Sequence, residues 1–129
     1  MASIFTKIIR NEIPAYKVAE SDKFLAFLDV SPLQKGHTLV IPKLEIDYIF
    51  DVEDDLLSEM IVFAKKVSKK IKGNFDCNRV GMAVIGLEVP HAHIHLIPIN
   101  KMDDMNFAND KLKLSSGEMM EIQEKILRE

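Results

Sequence analysis

The chain has 129 residues, 47% of them hydrophobic, and a formal net charge of -3. That length suits one domain with a buried core, and the balanced charge lacks the basic excess that nucleic-acid binding needs. A single cysteine, Cys77, excludes an internal disulfide and a multi-cysteine zinc site; no apolar run reaches the roughly 20 residues of a membrane span, and the charged start lacks a signal-peptide core, so a cytoplasmic protein is expected.

In chain order, residues 3–11 read as a short amphipathic helix, with Ser3 as its N-cap and Ile4, Ile8 and Ile9 on one side. Pro14 closes that segment. Residues 16–20 and 23–29 read as a hairpin around Glu20-Ser21-Asp22, broken by Val30-Ser31-Pro32. Gly36 permits a turn, and 37–41 resume as a strand until Pro42. The spacing of Leu56, Met60, Ala64, Val67 and Ile71 predicts a helix over 52–72, with acids at its start, lysines at its end and Gly73 to stop it. Ile61, Val62 and Phe63 widen its apolar face, which a deep core or a second subunit would explain. Two more strands follow over 78–85 and 90–99, joined through Gly86. The stretch 100–113 is polar and Met-rich and reads as a surface loop, and Ser115 with Glu118 forms a capping box before a helix over 116–128. This order predicts an α+β fold over 1–129, one domain with a mainly antiparallel sheet.

All four histidines fall in two apolar segments. His91, His93 and His95 alternate in Val89-Pro-His-Ala-His-Ile-His-Leu-Ile-Pro98, and His37 stands in Lys35-Gly-His-Thr-Leu-Val-Ile-Pro42. On a strand the three alternate imidazoles share one face. Packing alone would bury six ring nitrogens that each want a partner. A single zinc ion is a poor fit, because alternate strand residues place the outer two about 13 Å apart at Cα. Covalent chemistry at phosphorus suits the row better. Neutral imidazole, with a pKa of about 6.5, is a nucleophile when its other nitrogen's proton is held, and flanking imidazoles can donate to phosphoryl oxygens and leaving group.

The segment His91-Ala-His-Ile-His95-Leu-Ile resembles the signature of the histidine-triad (HIT) superfamily, His-φ-His-φ-His-φ-φ with φ apolar. The resemblance extends over about residues 3–99. Ser3-Ile-Phe-Thr-Lys-Ile-Ile-Arg-Asn-Glu-Ile-Pro14, Phe27-Leu-Asp-Val-Ser-Pro32 and Gly36-His-Thr-Leu-Val-Ile-Pro-Lys43 look like successive blocks of its nucleotide-binding, purine nucleoside phosphoramidase-like branch. It implies a HIT-like fold: a five-stranded sheet, a long central helix and short terminal helices, with the sheet continued across a homodimer.

The same resemblance implies a purine-nucleotide substrate and no cofactor or metal. His93 matches the nucleophile that becomes nucleotidyl-histidine, and His95 the residue contacting phosphate and leaving group. His91 matches an orienting residue, and His37 a histidine of the proton relay. Asp29 matches the carboxylate on the ribose hydroxyls; Ile4, Phe5, Ile8, Phe27 and Val30 match the walls around the base. Leu87 departs from the usual Gln, Glu88 occupies the place of a phosphate-contacting polar residue, and the loop before the triad is shorter than usual. The expected activity is a hydrolase that releases a nucleoside 5'-monophosphate from phosphoramidates, the flanking histidines stabilising charge and passing a proton to the leaving group. A dinucleoside polyphosphate hydrolase, a catalytically weak nucleotide-binding module and a metal-binding protein are the alternatives.

Overall fold

Residues 2–128 are described by the computed structural model. Five strands, β1 (Lys17–Glu20), β2 (Phe24–Leu28), β3 (Thr38–Pro42), β4 (Arg79–Ala83) and β5 (Ile94–Ile99), form one antiparallel sheet in the order β1-β2-β3-β5-β4. Three α-helices, α1 (Ile4–Ile9), α2 (Asp54–Asn74) and α3 (Ser116–Leu127), cover it. The α+β class and the five-stranded antiparallel sheet expected from the sequence are what the chain adopts.

Strand alternation divides the core between the two faces. Phe24, Ala26 and Leu28 of β2, Val40 of β3, and Ile94 and Leu96 of β5 pack against Met60, Ala64, Val67 and Ile71 of α2 and against Met119, Ile122 and Ile126 of α3. Each of the larger side chains contributes about 1.5–3 kcal/mol on burial, so this stripe, rather than intrinsic propensity, fastens α2. The residues between them, Leu25, Phe27, Leu39 and Ile41, face the opposite way and bury Phe5 and Ile8 of α1. The His91 and His93 rings pack against Phe5 on that second face.

Several boundaries differ from the sequence reading, for identifiable reasons. The last strand begins at Ile94, not at 90, so His91 and His93 precede it. The β3–β5 ladder runs only from Thr38↔Leu96 to Val40↔Ile94, since Pro42 lacks an N–H and its carbonyl is taken by the His91 ring. Residues 89–93 instead follow the β3 exit: the Ala92 N–H donates to Ile46 O at 2.7 Å, and the His91 N–H to Val89 O at 2.8 Å. Gly73 does not end α2, which continues to Asn74, whose amide caps Lys70 O at 2.7 Å. A 3-10 turn over Ile49–Asp51 precedes α2, and another over Met102–Met105 opens the stretch read as plain loop. α1 stops at Ile9, and Asn11 then adopts a left-handed backbone at φ 61°. Ser3 caps α1 by accepting the Thr6 N–H, and Ser115 and Glu118 form the expected capping box. Ile61 and Val62 are exposed, while Phe63 packs on Phe24. No helix among the described residues is long and apolar enough to cross a membrane.

Gly36 is set at φ +95°, and a Cβ there would meet the Phe75 ring at 3.1 Å. Only glycine combines that backbone with that contact, and it is the turn that delivers His37 to β3.

Candidate active site

The four histidines are buried together on the α1 face, and their hydrogen bonds assign a tautomer to each. His91 is fully enclosed. Its Nε2–H donates to Pro42 O at 2.8 Å, so Nδ1 is the acceptor and takes the Ser3 hydroxyl at 2.8 Å. Ser3 Oγ in turn accepts the Thr6 N–H at 3.1 Å. Glu45, in the loop after β3, accepts the Ser3 N–H at 2.7 Å and the Thr6 hydroxyl. Those donors hold its carboxyl down at about 2. Helix α1 is thereby tied to the triad by a chain of polar contacts that the sequence reading missed beyond Ser3. Glu45 gave no signal in sequence because its partners lie 42 and 39 residues away.

His93 donates its Nδ1–H to the main-chain oxygen of His91 at 2.7 Å. In the neutral ring the lone pair is therefore on Nε2. The His93 ring meets Phe5 edge-on, with centroids 5.1 Å apart at 86°, and meets His95 at 4.9 Å and 62°. Rigid aromatic neighbours on two sides leave the imidazole little freedom to turn.

His37 accepts the Leu33 N–H at Nδ1 (3.0 Å), which places its own proton on Nε2. That Nε2–H donates to His95 Nδ1 at 2.9 Å, so the proton of His95 sits on Nε2. Burial, with the other histidines beside it, pushes His37 down to about 3, and burial likewise pushes His95 down to about 4. Both are neutral at physiological pH. His91 is also lowered, chiefly by burial. Of the eight ring nitrogens, six are engaged within the protein, leaving His93 Nε2 and His95 Nε2 for a ligand. They differ in kind: a lone pair on one, a proton on the other.

Asp29 lies at the end of β2 with Oδ2 3.6 Å from His37 Nε2, too long for a hydrogen bond and, with His37 neutral, no ion pair. Its Oδ1 accepts the Ser31 N–H at 2.9 Å, so it shapes the turn as well as facing the site. Burial raises its pKa against the opposing pull of the Ser31 N–H. Asp29, His37 and His95 bring one ligand atom each within 4.8 Å of one another, a spacing compatible with a metal ion. Their hydrogen bonds favour a proton over a metal. A metal would need the lone pair of His37 Nε2, and the Leu33 N–H aimed at Nδ1 keeps the proton on Nε2.

Among the remaining sequence-predicted residues, Phe5, Ile8 and Phe27 are buried, and Phe5 joins the Phe27 ring at 5.3 Å to the rings of His91 and His93. Ile4 and Val30 stand out into solvent, available to a ligand rather than to the core. Glu88 is exposed and close enough to act on Asp29, whereas Leu87 points away into solvent. One aromatic was missed altogether. Phe107, from the stretch read as a surface loop, packs on His95 with centroids 4.9 Å apart and on His37 at 6.3 Å.

Comparison with known proteins places the chain in a family and agrees with its fold. The family model described as HIT domain matches residues 10–102. An uncharacterized HIT-like protein of Borreliella burgdorferi is 39% identical over 127 residues, covering 92% of this chain and 91% of its own. An adenosine 5'-monophosphoramidase of Schizosaccharomyces pombe is 37% identical over 99 residues, covering 76% of this chain and 74% of its own. Among solved structures, a Hit-like protein involved in cell-cycle regulation from Bartonella henselae superposes with a TM-score of 0.85 at 30% identity, covering 98% of this chain and 94% of that one.

Proposed function

The chain belongs to the HIT domain family, and on that premise we propose that it is a nucleotide hydrolase that releases a nucleoside 5'-monophosphate from phosphoramidates through a nucleotidyl-histidine. The observation that carries this reading is the 2.7 Å bond from His93 Nδ1–H to His91 O, which in the neutral imidazole puts the lone pair on Nε2, inside a buried row of imidazoles. The adenosine 5'-monophosphoramidase of S. pombe supports the choice of leaving group.

In this mechanism His93 Nε2 attacks the α-phosphorus. A phosphoramidate nitrogen that already carries its proton from water leaves as a neutral amine, the P–N electron pair staying on nitrogen. As that pair develops it accepts a hydrogen bond from His95 Nε2–H, an interaction made in the transition state and not before. The sequence reading gave the flanking histidines a proton-passing role. With His95 neutral and its Nδ1 already accepting a hydrogen bond from His37 Nε2–H, hydrogen-bond donation is the better-supported one. Water then attacks the adduct, His93 departs with its Nδ1–H intact, and one proton goes to solvent. Asp29 holds the ribose hydroxyls, Phe5, Ile8 and Phe27 with Ile4 and Val30 flank the base, and the Glu88 backbone faces the phosphate. The exposed Met82, Val84 and Ile85 at the β4 sheet edge, with Ile61 and Val62 of α2, support a homodimer. The free, buried Cys77 supports a reducing, cytoplasmic setting.

The test is AMP release from adenosine 5'-phosphoramidate with a chelator present, using wild type and His93→Ala, with a dinucleoside polyphosphate in parallel. Release by wild type that disappears in His93→Ala is expected. Release only from the polyphosphate would move the activity to the rival leaving group. Binding of AMP without turnover of either would make the protein a nucleotide-binding module.

A further inference from the structure

The loop carrying Phe107 lies beyond residue 102, where the family model ends, and its own side chains hold it in shape. Asp104 accepts the N–H groups of Asn100 and Lys101, at 2.8 and 3.2 Å. The Asn109 side chain donates to Asp103 O and Oδ2 at 3.0 and 3.1 Å, and Asn106 Oδ1 accepts the Ala108 N–H at 3.0 Å. Lys111 Nζ spans the turn by donating to Phe107 O at 2.7 Å and Asn109 O at 3.0 Å. The Leu112 N–H then fastens the segment to Pro32 O at 2.8 Å. All this polar structure presents one half-buried phenyl ring to two histidines.

The ring's position relative to the others gives it a role. Phe5, His93, His95 and Phe107 meet in succession, at 5.1, 4.9 and 4.9 Å between centroids. Phe5 belongs with Phe27 on the side read as the base pocket, so Phe107 adjoins the other histidine of the central pair. We propose that Phe107 is a specificity-determining residue that forms the wall of the leaving-group subsite and selects amines carrying a flat apolar group. This rests on the phosphoramidase reading. A nitrogen hydrogen-bonded by His95 Nε2 lies about 3 Å from it, and Phe107 is the phenyl ring packed on that same imidazole. A flat apolar substituent gains an aromatic contact there. A polyphosphate would instead shed water against a phenyl ring.

The experiment compares two adenosine 5'-phosphoramidates, with 3-phenylpropylamine and propylamine leaving groups, whose amines are of similar basicity. Wild type, Phe107→Ala and Phe107→Leu are assayed on both. The ratio of kcat/KM between the two substrates is unaffected by any fraction of misfolded enzyme. Wild type is expected to favour the phenylpropyl substrate about five- to tenfold; the ratio falls to near one in Phe107→Ala and to an intermediate value in Phe107→Leu. A ratio near one in wild type, or one unchanged by both substitutions, overturns the proposal while leaving the phosphoramidase reading in place. A wild type inert on both substrates overturns the two together.

Discussion

His37 Nε2 lies 2.9 Å from His95 Nδ1, and this bond decides which nitrogen of His95 carries the proton. With the Leu33 N–H aimed at His37 Nδ1 at 3.0 Å, protons along the row are ordered from the backbone outward, ending on His95 Nε2. His37 thus touches no reacting atom yet sets the polarity of one that does.

Replacing His37 therefore separates position from polarity. His37→Ala leaves His95 Nδ1 without its donor and frees the ring to take either tautomer, with an expected loss of about 10- to 100-fold in kcat. His37→Gln retains an N–H donor and should recover part of that loss. Equal losses in both variants, with KM unchanged, would show that the donor is not what His37 supplies. The imidazole 15N shifts of His95 give an independent view of its tautomer.

Burial of neutral histidines also makes stability depend on pH. In the unfolded chain His37 and His95 protonate as pH falls through about 6.5. In the folded chain they resist until about 3 and about 4. Between those limits the unfolded state binds more protons, so stability rises with pH and is complete above about 6.5. Tm should therefore fall as pH drops from about 6.5 toward 4, and His37→Gln should flatten the slope. Glu45, pushed down to about 2, adds a separate loss below about 4.5, so the histidine contribution is cleanest between about pH 6.5 and 5. A Tm that is flat across that window in wild type would contradict the buried neutral assignment.

Asp29 offers a test at the sugar. A carboxylate that accepts two ribose hydroxyls makes charge-assisted bonds whose loss costs about 10- to 100-fold in kcat/KM. Wild type should favour a ribonucleotide phosphoramidate over its 2'-deoxy counterpart, and Asp29→Ala should remove that preference. If Asp29→Ala lowers the rate on both sugars equally, the carboxylate serves only the turn it makes with the Ser31 N–H at 2.9 Å.

What the sequence revealed and what it hid divide along the range of the contacts. Periodicity placed the α2 stripe, and alternation placed the three histidines on one face even though only His95 lies within β5. The capping box at Ser115 is a local pattern and was legible for that reason. The partners that assign the proton to each imidazole are mostly main-chain atoms: Pro42 O, His91 O and Leu33 N–H. Residue types carry no trace of them. Phe107 was hidden differently, as one aromatic in a polar stretch whose many Asp and Asn side chains read as solvated loop but bond to one another.

The contact between α1 and the triad gives the last prediction. Ser3 Oγ accepts the Thr6 N–H as the α1 N-cap and donates to His91 Nδ1, so Ser3→Ala removes a cap and strands a buried acceptor at once. The cap alone is worth about 1 kcal/mol, and an unsatisfied buried acceptor costs about 1–3 kcal/mol more. The consequence should reach His93, because His91 supplies the carbonyl that holds the His93 Nδ1–H. Glu45→Ala should act on the same path from farther away, releasing the Ser3 N–H and the Thr6 hydroxyl. Glu45→Gln keeps an acceptor oxygen and should retain more activity than Glu45→Ala. Thermal melts paired with the 15N shifts of His91 and His93 distinguish the two effects. A lowered Tm with both tautomers unchanged would confine Ser3 and Glu45 to anchoring α1, whereas altered populations at His91 would place them on the path to the nucleophile.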